Sequence, residues 1–159
     1  MFSRPLYPCG GLGCFGCTEA AVAQYNVARL KAAPEDLGDF LSEVERVNAL
    51  ADAAPGFLWR YKADGKDNSL TDTVRDGMVI NLTTWRSPED LWRFTYTADH
   101  LDMLKRRRDW FVPGELGNVL WWVRPDHQPT VKEAEAHLDL LREVGPSHRA
   151  FSFKEVPHD

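Results

Sequence analysis

Apolar and polar residues alternate along Ala21 to Leu30 (AVAQYNVARL), the period-two pattern of a strand with one polar face. The period then changes. Leu37, Phe40, Leu41, Val44, Val47 and Leu50 recur at helical spacing, with Pro34, Glu35 and Asp36 near the start and Pro55-Gly56 as the stop. Two further strands are predicted over 57–62 and 78–86, separated by the polar stretch ADGKDNSLTDTVRDG. Ser87 caps a second helix, with Pro88 at its first position and Glu89 and Asp90 in its first turn; helical spacing carries it to about Phe111. A fourth strand, 118–123, lies between Gly117 and Pro125. Thr130 then caps a helix over 131–144 that Gly145-Pro146 ends, and 150–154 reads as a short last strand.

The order β-α-β-β-α-β, followed by an added helix and short strand, predicts an α+β fold: a ferredoxin-like antiparallel sheet with two helices on one face. The other face, with Tyr25, Val27 and Trp85 among its candidates, needs cover. A second copy of the chain supplies it most simply, giving a homodimer whose sheets face one another while each subunit keeps a pocket between its own sheet and helices. The expected domain runs over 21–159, including a C-terminal extension at 126–159.

Composition narrows the class. A chain of 159 residues suits one domain with a sizeable core. Nineteen basic against 24 acidic residues leave a formal charge of −5, so no nucleic-acid partner is expected. No apolar run approaches the ~20 residues that span a bilayer, so no membrane partner is expected either. The first twenty residues, MFSRPLYPCGGLGCFGCTEA, show no strand or helix period and read as a flexible tail. Pro5 and Pro8 interrupt any export signal there, and the three cysteines, an odd number, exclude a closed disulfide framework; a cytoplasmic location fits. Gly11, Gly13 and Gly16 satisfy G-x-G-x-x-G without the flanking strand and helix that dinucleotide binding needs. Cys9, Cys14 and Cys17 have iron-sulfur spacing but no fourth thiolate, so no metal site is assigned.

The stretch FTYTADHLDMLKRRRDWF carries the most specific constellation. At about 100° per residue, Phe94, Leu101 and Arg108 share the apolar side of a continuous helix. Tyr96, His100 and Arg107 flank it beside Leu104 and Phe111. His100 is thus a candidate general acid/base, against the alternative of a structural histidine, with Tyr96 as its neighbour. Arg108 reads as a ligand clamp or a structural salt bridge, while Lys105 and Arg106 read as a solvated helix end. On the strands, Asn26, Trp59, Asn81, Trp85 and Trp121 are the expected pocket residues. Asn26 either bonds neighbouring backbone or faces the pocket beside Gln24. Alternation forbids Trp121 and Trp122 from lining the same pocket. The sequence holds no HExxH, Walker A or G-x-S-x-G motif.

The stretches AQYNVARL, VNALADAAPGFLWRY, VINLTTWRSPEDLWRFTYTADHLDMLKRRRDWF and VLWWVRPDHQPTVKEAEAHLDLLREVGPSHRAFSF resemble the domain of unknown function 3291 family, over residues 21 to about 154. That family is similar to the antibiotic biosynthesis monooxygenase superfamily of dimeric α/β barrels, which also holds haem-degrading oxygenases and small isomerases or decarboxylases. The resemblance implies a small-molecule enzyme, monooxygenase-like or an isomerase or cyclase. It would act on a hydrophobic or aromatic, polyketide-like substrate by acid/base-assisted oxygenation or rearrangement, with no bound organic cofactor. Two other readings stay open. One is a haem-binding or haem-degrading protein: Asn26, Trp92 and His100 offer the residue types of the haem-degrading relatives, with His100 as axial ligand, although Trp92 falls on the outer face of the helix. The other is a non-catalytic binder of a small ligand.

Overall fold

The strand read at 21–30 forms as predicted and becomes a central member of a five-stranded antiparallel sheet. The computed structural model of the chain describes residues 6–8, 17–62, 74–75, 77–97, 101–102 and 105–152. In chain order its elements are β1 (Leu6–Pro8), β2 (Cys17–Glu19), β3 (Ala21–Leu30), α1 (Phe40–Asp52), β4 (Phe57–Arg60), β5 (Val74–Arg75), β6 (Met78–Trp85), α2 (Pro88–Thr95), α3 (Arg107–Trp110), β7 (Phe111–Val123) and α4 (Val131–Val144). The strand order is β4-β6-β3-β7, with β5 also paired to β6. This is the split βαβ, ferredoxin-like arrangement expected from the order of elements.

Alternation along β3 assigns the two faces. Ala21, Ala23 and Tyr25 are buried with Leu82, Val119 and Trp121 under Ala134 and Leu138 of α4. Val22 points the other way and packs with Trp85, Leu91, Leu120 and Phe151, beside Ala51 of α1. A third cluster, Leu30, Phe40, Val44 and Trp110, closes the far end of the same helix-covered face.

The face carrying Tyr25 and Val27 is therefore covered by the chain's own C-terminal helix, where the sequence suggested a second subunit. Gly117 permits the close approach: a Cβ there would stand 2.9 Å from Leu138 Cδ2 and from Val27 Cγ1. Tyr25 reinforces it by donating its hydroxyl hydrogen bond to Glu135. Trp85, read as a candidate for that face, lies on the opposite one because it pairs with Val22.

The second helix is shorter than its spacing suggested. Ser87 caps α2 as read, accepting from the Asp90 amide at 3.1 Å, but α2 stops at Thr95. Tyr96 leaves helical geometry with φ −97° and ψ 15°, and the Thr95 and Thr97 hydroxyls bond back to the Leu91 and Phe94 carbonyls. Residues 101–102 are again helical, the Leu101 amide donating to the Thr97 carbonyl at 3.0 Å, and α3 follows as a single turn. Projecting a continuous helix from Phe94 to Arg108 therefore misplaces the residues beyond Tyr96.

Smaller differences have local causes. Gly38, at φ 62°, separates a 3-10 turn over Pro34–Asp36 from α1, which starts at Phe40. β7 begins at Phe111 because Gly114, at φ 83°, and a register shift between Ala28 and Leu30 absorb the turn-forming residues into the strand. The tail contributes a β1–β2 pairing of three residues a side, too short to show a period. Of the expected last strand, the described residues show bridges at Ala150 and Phe151, the latter exchanging backbone hydrogen bonds with Leu120; 153 and 154 lie outside the described residues. Among the described residues no helix is long and apolar enough to cross a membrane.

Candidate functional site

Between the sheet and helices α1 and α2 lies a cavity of about 630 Å³. Its sheet wall is layered by register. Gln24 opposes Thr83, and two residues further along β3 Asn26 opposes Asn81 on one side and Asn118 on the other. Directly paired residues share a face, and all three asparagines line the cavity as a row of amides across three neighbouring strands. Ala28 and Val79 follow as small apolar residues. The helices contribute Val44, Val47, Asn48 and Ala51 from α1 and Leu91, Phe94 and Thr95 from α2. Trp85, Trp110 and Phe111 supply aromatic surface. Trp85 is held in place by donating its indole N–H to Thr83 at 3.0 Å, and its ring stacks on Phe94.

One strongly polar group enters this wall. The Arg60 side chain, 9% exposed, donates from Nε to Asp52 Oδ1 at 2.9 Å and from Nη1 to Asn81 Oδ1 at 2.6 Å. Its guanidinium lies 5.6 Å from the Phe57 ring centroid. A register shift between Phe57 and Trp59 turns β4 so that Arg60, opposite Thr83, faces the cavity. Sequence reasoning missed Arg60. The available signals were the carboxylate of Asp52 at the end of the preceding helix and the unusual placement of an arginine inside a short apolar strand.

The cavity brings together Asn26, Asn81, Trp85, Tyr96, Arg107 and Phe111 of the residues singled out in the sequence. Tyr96, 52% exposed, stands at the rim with its ring 4.4 Å from that of Trp92, and Arg107 is also exposed there. Other expectations are corrected. Trp59 and Trp121 lie on the opposite face, packed in the core under α4, because their strand parity is that of Tyr25 and Leu82. Trp121 donates to Glu133 at 3.3 Å and stacks on His137 at 4.5 Å. Trp122 is turned away from it, as alternation requires. Arg108 is exposed and does not line the cavity; its backbone carbonyl accepts from Lys31 Nζ. Arg106, read as a solvated helix end, instead makes a two-pronged ion pair with Asp39 at 2.6 Å and covers the Trp110 ring. His100 and Leu104 lie outside the described residues.

Electrostatic anchoring flanks the cavity. Asp90, whose side chain is 3% exposed, sits against Gly56 at the start of α2. Burial, the largest single influence, pushes its pKa up. Hydrogen bonds from the Ser87 hydroxyl and Arg86, with the charges of Arg86 and Arg93, outweigh it and hold the carboxyl below the usual aspartate value. The hydrogen bond from Arg106 likewise lowers the Asp39 pKa. On the α4 face, burial pushes His137 below the ordinary histidine value, against a hydrogen bond to the Arg149 carbonyl at 2.7 Å. Through Trp121, Glu133 and His137 thus fasten α4 to the sheet, and His127 is 2.9 Å from Glu133.

Among the described residues there is no group of three or more His, Cys, Asp or Glu side chains that could hold a metal. The described lining holds no histidine, cysteine or methionine, and His100, the axial ligand of the haem reading, lies outside the described residues. Asn26 lines the cavity, but Trp92 does not, and is 45% exposed.

A family model described as domain of unknown function (DUF3291) matches residues 21–159. No curated protein shows a significant sequence match. Several solved structures are similar. SnoaB from Streptomyces nogalater, a cofactor-independent oxygenase, is 18% identical over 70% of this chain and 99% of its own, with a TM-score of 0.48. A protein from Nitrosomonas europaea, provisionally assigned as an antibiotic biosynthesis monooxygenase, is 13% identical over 65% of this chain and 89% of its own, at the same TM-score of 0.48. A conserved protein from Methanosarcina mazei Go1 is 12% identical over 64% of this chain and 91% of its own, again at 0.48.

Proposed function

We propose, from the premise that the chain belongs to the DUF3291 family, that its cavity binds a flat hydrophobic or aromatic substrate and promotes its oxygenation or rearrangement without a bound organic cofactor. The observation that carries this reading is the amide row Asn81–Asn26–Asn118, set with Gln24, Thr83 and Arg60 into a cavity otherwise lined mainly by apolar and aromatic residues. Asparagine is depleted in strands, so three side by side are an unfavourable choice for the sheet alone, which supports a ligand-binding role for them. Apolar walls with a few convergent polar groups are the usual composition of small-molecule sites. Amide N–H donors aimed at a substrate oxygen favour negative charge as it develops there. An electron-rich aromatic substrate brings its own reactivity, and the site's contribution is to exclude water, orient the ring and hold the charged oxygen. Tyr96, at the rim, is the described lining group suited to passing a proton.

The test is direct. Naphthalene and its hydroxylated derivatives are titrated against the protein while tryptophan emission is followed, since Trp85 and Trp110 line the cavity. Oxygen uptake is then measured with the bound hydroxylated compounds in the presence of a chelator. Saturable quenching that Val47→Trp abolishes by filling the cavity is expected, together with uptake above the uncatalysed rate. Absence of saturable binding refutes the reading; binding without turnover on any of them favours the non-catalytic binder.

A further inference from the structure

Arginine has no hydrogen-bond acceptor, so the atom of Asn81 that meets Arg60 Nη1 at 2.6 Å must be the amide oxygen whatever the rotamer. The amide nitrogen is then at the other end of the group, turned from the guanidinium, on a residue that lines the cavity. Arg60 is in turn fixed: its side chain is 9% exposed, Asp52 Oδ1 accepts from its Nε at 2.9 Å, and the Phe57 ring lies beside it. A buried guanidinium without a partner is strongly unfavourable, and Asp52 removes that penalty. It also leaves the pair with no net charge, so Arg60 is poorly suited to act as a bare cationic trap. What the pair does impose is direction. Without it the Asn81 amide presents either its oxygen or its nitrogen to the cavity at similar cost; with it, only the donor end is offered.

We propose that Asp52 and Arg60 are positioning residues that lock the Asn81 amide with its NH2 group toward the cavity, beside Asn26. This selects aromatic enols or phenols bound through an oxygen that carries negative charge. The inference rests on the aromatic-substrate reading above and names the functional group that the amide row recognises. Carbonyl and oxyanion oxygens accept from such a donor, and the oxyanion gains more because charge-assisted hydrogen bonds are the stronger.

The experiment uses 2-naphthol, whose neutral and ionised forms absorb differently, with naphthalene as the control without an oxygen. The pH titration of the bound probe is recorded for the wild-type chain, for Asn81→Leu, for the paired variant Asp52→Asn with Arg60→Met, and for all three changes together. Removing Asp52 and Arg60 together leaves no unpaired charge. Wild-type protein is expected to bind the naphtholate about tenfold more tightly than the naphthol, seen as a fall of about one unit in the bound probe's pKa. Asn81→Leu abolishes the preference. The paired variant abolishes it too, yet has no further effect in the Asn81→Leu background, because it acts through Asn81. Arg60→Lys, which still donates to the amide oxygen, retains most of the preference and covers the event that the paired variant fails to fold. Equal binding of both probe forms by wild-type protein overturns the positioning role while leaving the cavity reading intact. So does a paired variant whose effect persists without Asn81, since the pair then acts directly on the probe. If neither naphthalene nor 2-naphthol binds, the cavity reading fails and this inference with it.

Discussion

Replacing Leu138 by alanine measures whether the C-terminal helix is a structural layer of the domain or an appendage. Leu138 is 2% exposed and packs against Val119 and Trp121 of the sheet beneath α4, next to Gly117. Truncating a fully buried leucine costs about 2–5 kcal/mol, the spread reflecting how far the surroundings collapse into the space left. Here the floor is paired sheet backbone and cannot move up, while α4 is tied at Thr130 by its cap and at Glu133, Glu135 and His137 by hydrogen bonds. Collapse is therefore limited, and the upper half of the range, about 4 kcal/mol, is expected. For a chain of this length that corresponds to a fall of about 8–16 °C in Tm. Circular dichroism melts of wild type, Leu138→Ala and the control Leu50→Ala, whose side chain is 41% exposed, provide the comparison. Each melt is run at two protein concentrations tenfold apart, with light scattering against the 18.1 kDa chain mass. The control should change by no more than about 0.5 kcal/mol. A Leu138→Ala loss below about 1 kcal/mol, or a wild-type midpoint that rises with concentration together with a dimer mass, would refute α4 as the cover of this face and restore the sheet-to-sheet dimer.

Gly56→Ala should destabilise the chain by about 2–3 kcal/mol in urea titrations, because φ is +87° and the new Cβ would lie 2.4 Å from Asp90 Cγ. Asp90→Asn should cost about 2 kcal/mol at neutral pH, drawn chiefly from the buried carboxylate and its Ser87 hydrogen bond, since Arg86 is largely exposed. The wild-type Asp90 pKa is below its unfolded value near 3.8, so its stabilisation is present above that pH and is lost as pH falls through the lower folded value. The Asn variant should lack this part of the acid slope. His137, held below its ordinary 6.5, stays neutral in the folded state while the unfolded chain takes up the proton first. Stability should therefore decline from about pH 6.5 down to its folded pKa, and His137→Phe, which keeps the ring against Trp121, should flatten that decline.

Where one local signal dominates, the elements were legible in the sequence. β3 forms over 21–30 and α4 over 131–144, and the caps at Ser87 and Thr130 make the hydrogen bonds their spacing implied. The alternation rule also separated Trp121 from Trp122 correctly. Illegible were the features set by contacts distant in sequence. The break after Thr95 has no proline or glycine to announce it; threonine hydroxyls bond back to the preceding turn there. About half of the candidate residues were projected along that helix, and Arg108 falls off the cavity, whereas the strand residues Asn26, Asn81 and Trp85 line it. Trp59 and Trp121 were misassigned because a strand's period gives two faces without saying which one holds the cavity. That choice depends on which helices cover which face.

The covering helix also bears on the chemistry. An apolar sheet face would press this fold toward pairing with a second copy, and any pocket would then share its rigidity with that interface. α4 removes the pressure by burying Tyr25, Leu82, Val119 and Trp121 within one chain. It packs directly behind the strands that carry the amide row: Tyr25 and Val119 are the immediate neighbours of Asn26 and Asn118, and point the opposite way. Donors that must keep one orientation to be selective need such backing, since amide geometry held to within a fraction of an ångström comes from locked neighbours rather than from the amides themselves. A loosened α4 should therefore blur ligand discrimination before it lowers affinity for an apolar ring. In the Leu138→Ala variant at a temperature well below its midpoint, the naphtholate preference should shrink while naphthalene binding stays within about twofold of wild type. Equal losses for both probes would show that the helix supports the cavity's shape alone, and an unchanged preference would show that the sheet holds the row without it.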